Sequence, residues 1–259
     1  MENTLIGADP ELFLVNDEGK FISSIGRIGG SKNKPREIRE DGCAVQEDNV
    51  AVEFNIPPSS TVDQFIEAVN FNLEYLRKHA QTQQLKLSLT ASAVFSPDQL
   101  QHPKAVEFGC DADYNAWTGM RNPRPNATNP GLRSSGGHIH ISTKLNPQLV
   151  TRACDLFIGV PSVLVDHDTK RRELYGKAGT FRPKKYGVEY RTPSNFWLQS
   201  EDLMRWIYGA AHAALHFTAN DMEAYDFLEP SAAEIQECIN TSDVKLAHKL
   251  MKDYGVVAA

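Results

Sequence analysis

The segment Asp48–Pro58 constrains the fold most strongly, because its apolar and polar residues alternate along most of its length. Side chains of a β-strand point to opposite faces in turn, so this period predicts a strand with one buried face. The apolar face carries Val50, Val52, Phe54 and Ile56, and the opposite face carries Ala51, Glu53 and Asn55. We therefore expect a sheet that packs on a core and presents an acid on its other side.

Three further strand-like segments place polar residues two positions apart. The pairs are Asp9 with Glu11, His138 with His140, and Glu189 with Arg191. One such pair is also typical of an exposed strand, where a surface ion pair contributes about 0–1 kcal/mol. Several pairs on strands whose other faces are apolar favour a common polar cavity instead.

These patterns predict an α+β fold. A curved, mainly antiparallel sheet would have a polar concave face and would carry helices on its convex face. A cap within Ser60–Asp63 followed by an apolar stripe predicts a helix that reaches about Gln81, and further helices are predicted after Trp197. We expect residues 1–199 to form the core, with residues 200–259 as C-terminal helices that pack on the same domain.

Composition limits the possible partners. A net charge of −6 over 259 residues argues against a nucleic-acid-binding protein, for which a basic domain is expected. The longest apolar run, Leu156–Val165, is about half the length of a membrane span, and the amino terminus lacks the pattern of a secretory leader. Reduced thiols are expected at the isolated cysteines, which are Cys43, Cys110, Cys154 and Cys238. These features predict a cytoplasmic protein that binds neither membranes nor nucleic acid directly.

The segment Arg171–Trp197 is rich in Lys and Arg although the chain as a whole is acidic, which predicts an anionic partner. Like charges about 4 Å apart repel by about 4 kcal/mol at an effective dielectric constant near 20, so clustered acids in a shared cavity need cations. Carboxylates with an occasional imidazole suit Mg²⁺ or Mn²⁺ better than Zn²⁺. Divalent metal beside a Lys- and Arg-rich segment is the combination used in phosphoryl transfer.

Five motifs, taken in their order along the chain, resemble a known family. They are GADPE, QEDNVAVEFN, GCDADYNAW, SGGHIHIS and RRELYGKAGTFRPKKYGVEYRTPSNFW. Together they are similar to the phage-type carboxylate–amine ligases of the phiEco32-like type 2 family, within the glutamine synthetase and glutamate–cysteine ligase superfamily. The resemblance covers roughly residues 4 to 198. It implies a glutamine synthetase-like catalytic domain over residues 1–199, with a half-barrel sheet that holds ATP and Mg²⁺ or Mn²⁺.

The resemblance also implies roles for individual residues. Metal ligands would be Glu11, Glu53, Glu189, His138, Asp9 and Glu47. The nucleotide would be bound by His138, His140, Lys177, Arg182 and Arg191. Catalysis would involve Glu53 together with three arginines that neutralise the transferring phosphoryl group, namely Arg191, Arg171 and Arg172. In this interpretation Glu189 is a metal ligand rather than the salt-bridge partner of Arg191.

Two departures from the superfamily pattern leave ligand assignments open. Asp9-Pro10-Glu11 stands where two glutamates are usual, which leaves open whether Asp9 reaches a metal. The spacing from Glu47 to Glu53 also differs from that of glutamine synthetase, so the identity of the upstream acidic ligand is open as well.

The implied reaction is activation of a carboxylate by ATP to an acyl phosphate, followed by attack of an amine to form an amide. The expected substrates are small-molecule or peptide carboxylates and amines in the cytoplasm of a bacterial host. Two alternatives remain: a metal-dependent hydrolase of amide or phosphate bonds, and a non-enzymatic binding protein that retains the fold. The histidine pair fits a hydrolase, but the repeated βα units of an amidohydrolase barrel are not visible.

Overall fold

The structure, a computed structural model, describes residues 4–106, 112–123, 129–219 and 221–258. Its strands are β1 (Ile6–Ala8), β2 (Glu11–Val15), β3 (Phe21–Ile22), β4 (Arg36–Glu37), β5 (Ala44–Asp48), β6 (Ala51–Asn55), β7 (Lys86–Ser88), β8 (Ser92–Val94), β9 (Tyr114–Asn115), β10 (Leu132–Ser134), β11 (Ile139–Ser142), β12 (Thr180–Lys184) and β13 (Gly187–Tyr190). Its helices are α1 (Val62–Gln81), α2 (Pro103–Val106), α3 (Pro147–Cys154), α4 (Val160–Ser162), α5 (Thr169–Leu174), α6 (Glu201–Phe217), α7 (Asp221–Leu228), α8 (Ala232–Thr241) and α9 (Val244–Tyr254). A π-helical turn, Asp155–Gly159, joins α3 to α4.

The strands form two main sheets, and every pairing among the described strands is antiparallel. The first sheet has the order β1-β11-β13-β12-β9, and the second has the order β3-β2-β6-β5-β4, with β7 also pairing with β2. Strands β8 and β10 form a separate pair. The sheets curl into a half-barrel, so the predicted α+β class with a mainly antiparallel sheet is confirmed.

The chain passes from the first sheet to the second at Asp9 and Pro10. Strand β1 ends against β11 just before this dipeptide, and β2 begins against β6 just after it. Proline has no backbone N–H to donate to a ladder, which suits a residue between two sheets. Backbone hydrogen bonds close the junction, since Asp9 N donates to His138 O at 3.4 Å and Glu11 N donates to Gly136 O at 2.8 Å. The segment 136–138 therefore lies beside both sheets where they meet.

The apolar faces of the sheets share one core with helices α1, α3 and α6. In the first sheet, Ile139, Ile141 and Val188 are fully buried, and α3 packs on β12 and β13. In the second sheet, Val52 and Phe54 are fully buried, as their alternation predicts. Burial of each such side chain contributes about 1.5–3 kcal/mol. The helices thus cover the apolar faces and leave the polar faces to the site.

Helix α1 forms where a cap precedes an amphipathic stripe. The side chain of Thr61, the N-cap residue, accepts a hydrogen bond from Gln64 N. Phe65, Val69 and Leu76 recur at helical spacing and are buried against α6 and β7. The predicted helix, with its cap within Ser60–Asp63 and its end near Gln81, is confirmed as Val62–Gln81.

The C-terminal helices divide between two apolar clusters. Helix α6 packs on α1 and α3 within the core that it shares with the sheets. Helices α8 and α9 pack around the π-helical turn and α4, in a second cluster that contains Leu156, Ile235 and Leu250. The division at residue 199 stays a prediction.

The described cysteines are free thiols in the protein interior: Cys43, Cys154 and Cys238. Burial raises the pKa of Cys43 to about 11 and that of Cys238 to about 12, so neither is a ready nucleophile at neutral pH. The expectation for Cys110 lies outside the described residues. Among the helices that the structure describes, none combines the length and the apolar character needed to cross a bilayer.

Candidate active site

Two clusters of potential metal ligands lie where the two sheets meet. The carboxylate cluster consists of Glu11, Asp48 and Glu53, and the histidine cluster consists of Asp9, His140 and Glu189. Within each cluster, every residue offers one ligand atom, and these atoms lie within 4.8 Å of one another. Asp9 and Glu11 enter different clusters because they lie on opposite sides of the junction between the sheets.

Strand register builds the carboxylate cluster. Glu53 of β6 lies opposite Glu11 of β2 on one side and opposite Gln46 of β5 on the other, so all three share the polar face. Glu11 Oε2 also accepts a hydrogen bond from Gly136 N at 2.7 Å. The cluster is therefore tied to the segment before the histidine strand as well as to its own sheet.

Asp48 is the ligand candidate that the sequence analysis missed. A two-residue turn joins β5 to β6, and the resulting register puts Asp48 on the face of Glu53 and Glu47 on the opposite face. Glu47 Oε1 instead accepts hydrogen bonds from Ile28 N and Gly29 N, at 3.1 and 2.8 Å. We therefore correct the predicted ligand, since the structure brings Asp48 and not Glu47 into the cluster.

The acids of the carboxylate cluster all have raised pKa values. Burial, together with the charge of Asp48, raises the pKa of Glu11 to about 7. Burial also raises the pKa of Asp48, and burial with the surrounding carboxylates raises the pKa of Glu53 well above its usual value. A bound cation would relieve both the desolvation and the mutual repulsion of these groups.

The histidine cluster forms on the first sheet, where β11 lies between β1 and β13. His140 is opposite Glu189 in the strand register, and His140 Nε2 lies 3.1 Å from Asp9 Oδ2. Burial alone would raise the pKa of Asp9, but His140 and His138 hold it well below its usual value. Burial alone would lower the pKa of His140, but the charge of Asp9 raises it.

His138 lies on the same face but is held differently. Its Nδ1 lies 3.1 Å from Asp9 Oδ1 and 3.4 Å from Arg191 Nη1. Burial and then the charge of Arg191 lower the pKa of His138 to about 4, so this imidazole is neutral at pH 7. The same-face pair is thus confirmed in position, but His140, and not the predicted ligand His138, belongs to the described groups of potential metal ligands.

Two glycines precede the histidine strand because no larger residue fits there. A Cβ atom at Gly136 would collide with the imidazole of His138. A Cβ atom at Gly137 would collide with the backbone carbonyl of Ser194, which belongs to the segment after β13. The two glycines therefore allow the close approach that brings His138 into the site.

Glu189 is both a member of the histidine cluster and the partner of several cations. Its Oε1 accepts hydrogen bonds from Arg191 Nη1 and, at 3.1 Å, from Arg182 Nη1, and its Oε2 lies 2.6 Å from Lys184 Nζ. Burial alone would raise the pKa of Glu189, but Arg191 and its neighbours lower it to about 2. The expectation of a metal ligand instead of a salt-bridge partner is therefore corrected, because the geometry allows Glu189 to be both.

Arg191 is almost completely buried, and its guanidinium connects several parts of the site. Besides Glu189 and His138, it lies near Asp113, whose Oδ2 is 3.6 Å from Arg191 Nε. Its charge also reaches the carboxylate cluster, where it lowers the pKa of Glu11 against the effect of burial. A fixed, buried cation in this position is suited to stabilising negative charge on a transferring phosphoryl group.

The two neighbouring arginines of α5 point in different directions. Arg171 lines the cavity described below, and its guanidinium donates to the carbonyl oxygens of Ser135, Thr192 and Arg191 at 2.8–3.1 Å. Burial lowers the pKa of Arg171 to about 10. Its position beside the site is as predicted, and its hydrogen bonds fix the backbone around Arg191.

Arg172 points away from the site, which corrects its predicted catalytic role. Arg172 donates to Ile239 O at 3.1 Å and to Ser162 Oγ at 3.2 Å, and it lies 3.6 Å from Asp166 Oδ2. Consecutive residues of a helix are about 100° apart, so Arg172 cannot share the direction of its neighbour. Lys177 follows the end of α5, and its side chain is exposed. Lys177 does not line the cavity described below, and its nucleotide-binding role stays a prediction.

A cavity of about 340 Å³ opens beside the carboxylate cluster. One wall is polar and includes Glu11, Asp48, His138, Arg171 and Arg191. Another part is apolar and includes Phe13, Val50, Ala51, Leu132 and Leu174. Small-molecule sites have volumes of about 300–1,000 Å³, so the cavity is at the lower end of that range.

The family comparison bears on this geometry directly. Residues 132–250 match the model of the phage phiEco32-like COOH.NH2 ligase-type 2 family. The resemblance predicted from the motifs is confirmed. The matched range contains the histidine strand, Glu189 and Arg191. No curated protein gives a significant match.

Two solved structures also resemble the chain. One is described as a novel glutamine synthase homolog, with 12% identity over 96% of this chain and 66% of that chain and a TM-score of 0.38. The other is a GmaS/ADP complex in conformation 1, with 11% identity over 98% of this chain and 71% of that chain and a TM-score of 0.36. This chain thus spans just under two thirds of the length of the first structure.

The donor atoms fit a hard divalent cation. The carboxylate cluster offers three carboxylates, and Mg²⁺ and Mn²⁺ prefer oxygen ligands. In the histidine cluster, His140 Nε2 is buried and lies 3.1 Å from Asp9 Oδ2, and a Glu189 oxygen lies within 4.8 Å of the ligand atoms of both residues. A bound metal would satisfy this nitrogen and both of the neighbouring carboxylates.

Proposed function

We propose that this protein is an ATP- and Mg²⁺-dependent carboxylate–amine ligase that forms an amide through an acyl phosphate, and that Mn²⁺ can replace Mg²⁺. The observation that carries this proposal is the presence of two ligand clusters with Arg191 in contact with one and electrostatically coupled to the other. Phosphoryl transfer depends on metal ions and fixed cations around the phosphates. The two clusters would hold the metal ions, and Arg191 would be the fixed cation.

The proposed reaction has two steps. An oxygen of the substrate carboxylate attacks the γ-phosphorus of ATP, the bond to the bridging oxygen breaks, and ADP leaves. The amine nitrogen then attacks the acyl carbon, the bond to the phosphate oxygen breaks, and the departing phosphate accepts the proton that the nitrogen loses. Bound metal would supply charge neutralisation at the phosphate oxygens.

Individual residues would divide this task between them. Arg191 would stabilise the charge of the phosphoryl group in flight, and His138, which is neutral at pH 7, would bind a phosphate oxygen through a ring N–H. Arg182 would act from the Glu189 side of the site, since it is bound to that carboxylate. Arg171 would hold the backbone that positions Arg191.

The substrate class is also a proposal. The apolar part of the cavity wall would accept an uncharged portion of the nucleotide or of a small-molecule or peptide substrate, while the carboxylate cluster faces the charged portion. The match to a phage-type family supports the further proposal that the protein operates in the cytoplasm of a bacterial host.

A coupled assay would test this function. Purified protein would be incubated with ATP, Mg²⁺ and a panel of amino acids, peptides and amines, and ADP, phosphate and amide products would be measured. ADP release should require both the metal and a correct carboxylate and amine pair. Hydrolysis without ATP, measured in the same preparations, would identify a metal-dependent hydrolase instead.

Two variants provide a matched comparison in this assay. Glu189→Ala should bind ATP poorly and form no product. Glu234→Ala removes an exposed glutamate that is paired with Lys249 between α8 and α9, and it should retain activity. Product formation by Glu189→Ala at the rate of Glu234→Ala would refute the assignment.

A further inference from the structure

Tyr186 lies at the tip of the hairpin between β12 and β13. The backbone of this tip lies very close to the backbone of β11. Gly187 has φ 148°, a conformation that favours glycine, and a Cβ atom at this position would collide with the carbonyl of Ile141. Thr143 N donates a hydrogen bond to Tyr186 O at 2.9 Å. The hairpin tip is therefore held against the strand that carries His140.

The side chain of Tyr186 covers one side of His140. The two rings are stacked, with centroids 5.8 Å apart and an interplanar angle of 18°. The Tyr186 hydroxyl lies 2.9 Å from His140 Nδ1, which is hydrogen-bond distance. Both the plane of the imidazole and one of its nitrogens are thus fixed by this single residue.

The other nitrogen of His140 faces the histidine cluster. Nε2 is buried and lies 3.1 Å from Asp9 Oδ2, which belongs to the same cluster. An imidazole that binds a metal through Nε2 must carry its proton on Nδ1, and metal-binding histidines usually donate that second N–H to an acceptor. In this site the acceptor at hydrogen-bond distance is the hydroxyl oxygen of Tyr186.

We propose that Tyr186 is a positioning residue for the metal site of the histidine cluster. Its hydroxyl oxygen accepts the Nδ1–H of His140, and its ring fixes the imidazole plane, so that Nε2 presents its lone pair toward Asp9 and Glu189. This inference rests on the proposed function, because it requires that the cluster bind a divalent cation. His138 is not controlled in this way, since its Nδ1 faces Asp9 and Arg191.

The first test compares Mg²⁺ and Mn²⁺ binding, by calorimetry and by Mn²⁺ electron paramagnetic resonance, in the intact protein and two variants. Tyr186→Phe keeps a stacked ring but removes the acceptor, and it should weaken binding to one class of site by about 10- to 100-fold. Tyr225→Phe removes a hydroxyl from another partly exposed tyrosine, which lies on α7 beside Arg152, and it should leave the affinity unchanged.

The second test is a spectrum that a merely structural role would not change. In ¹⁵N-histidine-labelled, Mg²⁺-loaded protein, His140 should be protonated at Nδ1, and in Tyr186→Phe its signals should shift toward a mixture of tautomers. The His138 signals should stay the same and serve as the internal control.

The outcomes separate this inference from the proposed function. If the unsubstituted protein binds Mg²⁺ but Tyr186→Phe keeps both the affinity and the His140 tautomer, the role of Tyr186 is refuted while the ligase proposal stands. If the unsubstituted protein binds neither Mg²⁺ nor Mn²⁺, both proposals are refuted.

Discussion

The carboxylate cluster and the histidine cluster lie at the same junction between sheets, yet their acids respond to burial in opposite ways. The pKa values of Glu11, Asp48 and Glu53 are raised, whereas those of Asp9 and Glu189 are lowered. Burial favours the neutral form of all five carboxyl groups. In the histidine cluster, the positive charges of the imidazoles and Arg191 outweigh the effect of burial. In the carboxylate cluster, the neighbouring carboxylates add to the effect of burial.

This difference predicts how each cluster would respond to a bound cation. The carboxylate cluster gains most from an external cation, because its acids are buried close together. The histidine cluster already contains positive charge, so a metal there must share Glu189 with Arg191, Arg182 and Lys184. Removing an acid should therefore have opposite effects on the stability of the metal-free protein in the two clusters.

The largest effect is expected for Glu189→Gln, which should destabilise the metal-free protein by about 3–5 kcal/mol. The substitution takes a buried carboxylate away from Arg191 and Arg182, and an uncompensated buried cation is costly. Urea unfolding at pH 7 would measure the change. Glu234→Gln, on the exposed pair with Lys249, is the control and should unfold like the unsubstituted protein; equal stability of all three proteins would contradict the account.

The next effect concerns Glu53→Gln, which should remove an acid from a repulsive cluster and stabilise the metal-free protein at pH 8. The same variant should lose at least about 100-fold in ligase activity, because the metal would lose a ligand near the phosphates. Thermal unfolding with and without Mg²⁺ would measure the change in stability, and the coupled assay would measure the loss of activity. A fall in metal-free stability as large as that of Glu189→Gln would erase the distinction between the clusters.

A pH dependence follows from the pKa of Glu11, which is about 7 in the folded protein against an ordinary value of 4.5. Between these values the folded protein binds more protons than the unfolded chain, so metal-free stability should fall by about 3 kcal/mol as the pH rises from about 4.5 to above 7. Mg²⁺ should reduce this fall, since it binds the ionised form. Unfolding curves at pH 5 and pH 8 would measure the slope, and Glu11→Gln should flatten it; an unchanged slope would contradict the raised pKa.

The smallest effect is expected for Lys177→Ala. Its side chain is exposed and lies outside the site, so stability should change by less than about 0.5 kcal/mol and the KM for ATP should not change. Steady-state kinetics at varied ATP would check this prediction. A large increase in the KM for ATP would support the contact between Lys177 and the nucleotide that the family resemblance implied.

Alternation along strands predicted the polar faces correctly, because side-chain direction within one strand is a local property. Glu53 is on the face of β6 opposite to the buried Val52 and Phe54. His140 and Glu189 are paired on the neighbouring strands β11 and β13. The helix over residues 62–81 was predictable for the same reason, since its cap and stripe are local signals.

Relations between strands were harder to predict. Asp9 and Glu11 separate because the chain changes sheets between them, and a sequence cannot show that change except through Pro10. The choice of Asp48 over Glu47 depends on the register set by a two-residue turn.

The remaining errors have similar causes. Arg172 turns away from the site because α5 places it on a different face from its neighbour, and a charge-rich segment alone cannot reveal that direction. Tyr186 was missed because its contact with His140 depends on how the β12–β13 hairpin lies on β11.

The most direct test of the central claim is the position of bound metal. Crystals grown with Mn²⁺ and a non-hydrolysable ATP analogue would give anomalous difference peaks at the ions. We predict one peak among Glu11, Asp48 and Glu53 and a second among Asp9, His140 and Glu189, with the phosphates of the analogue beside Arg191. An ordered analogue with no metal peak at either cluster would contradict the account.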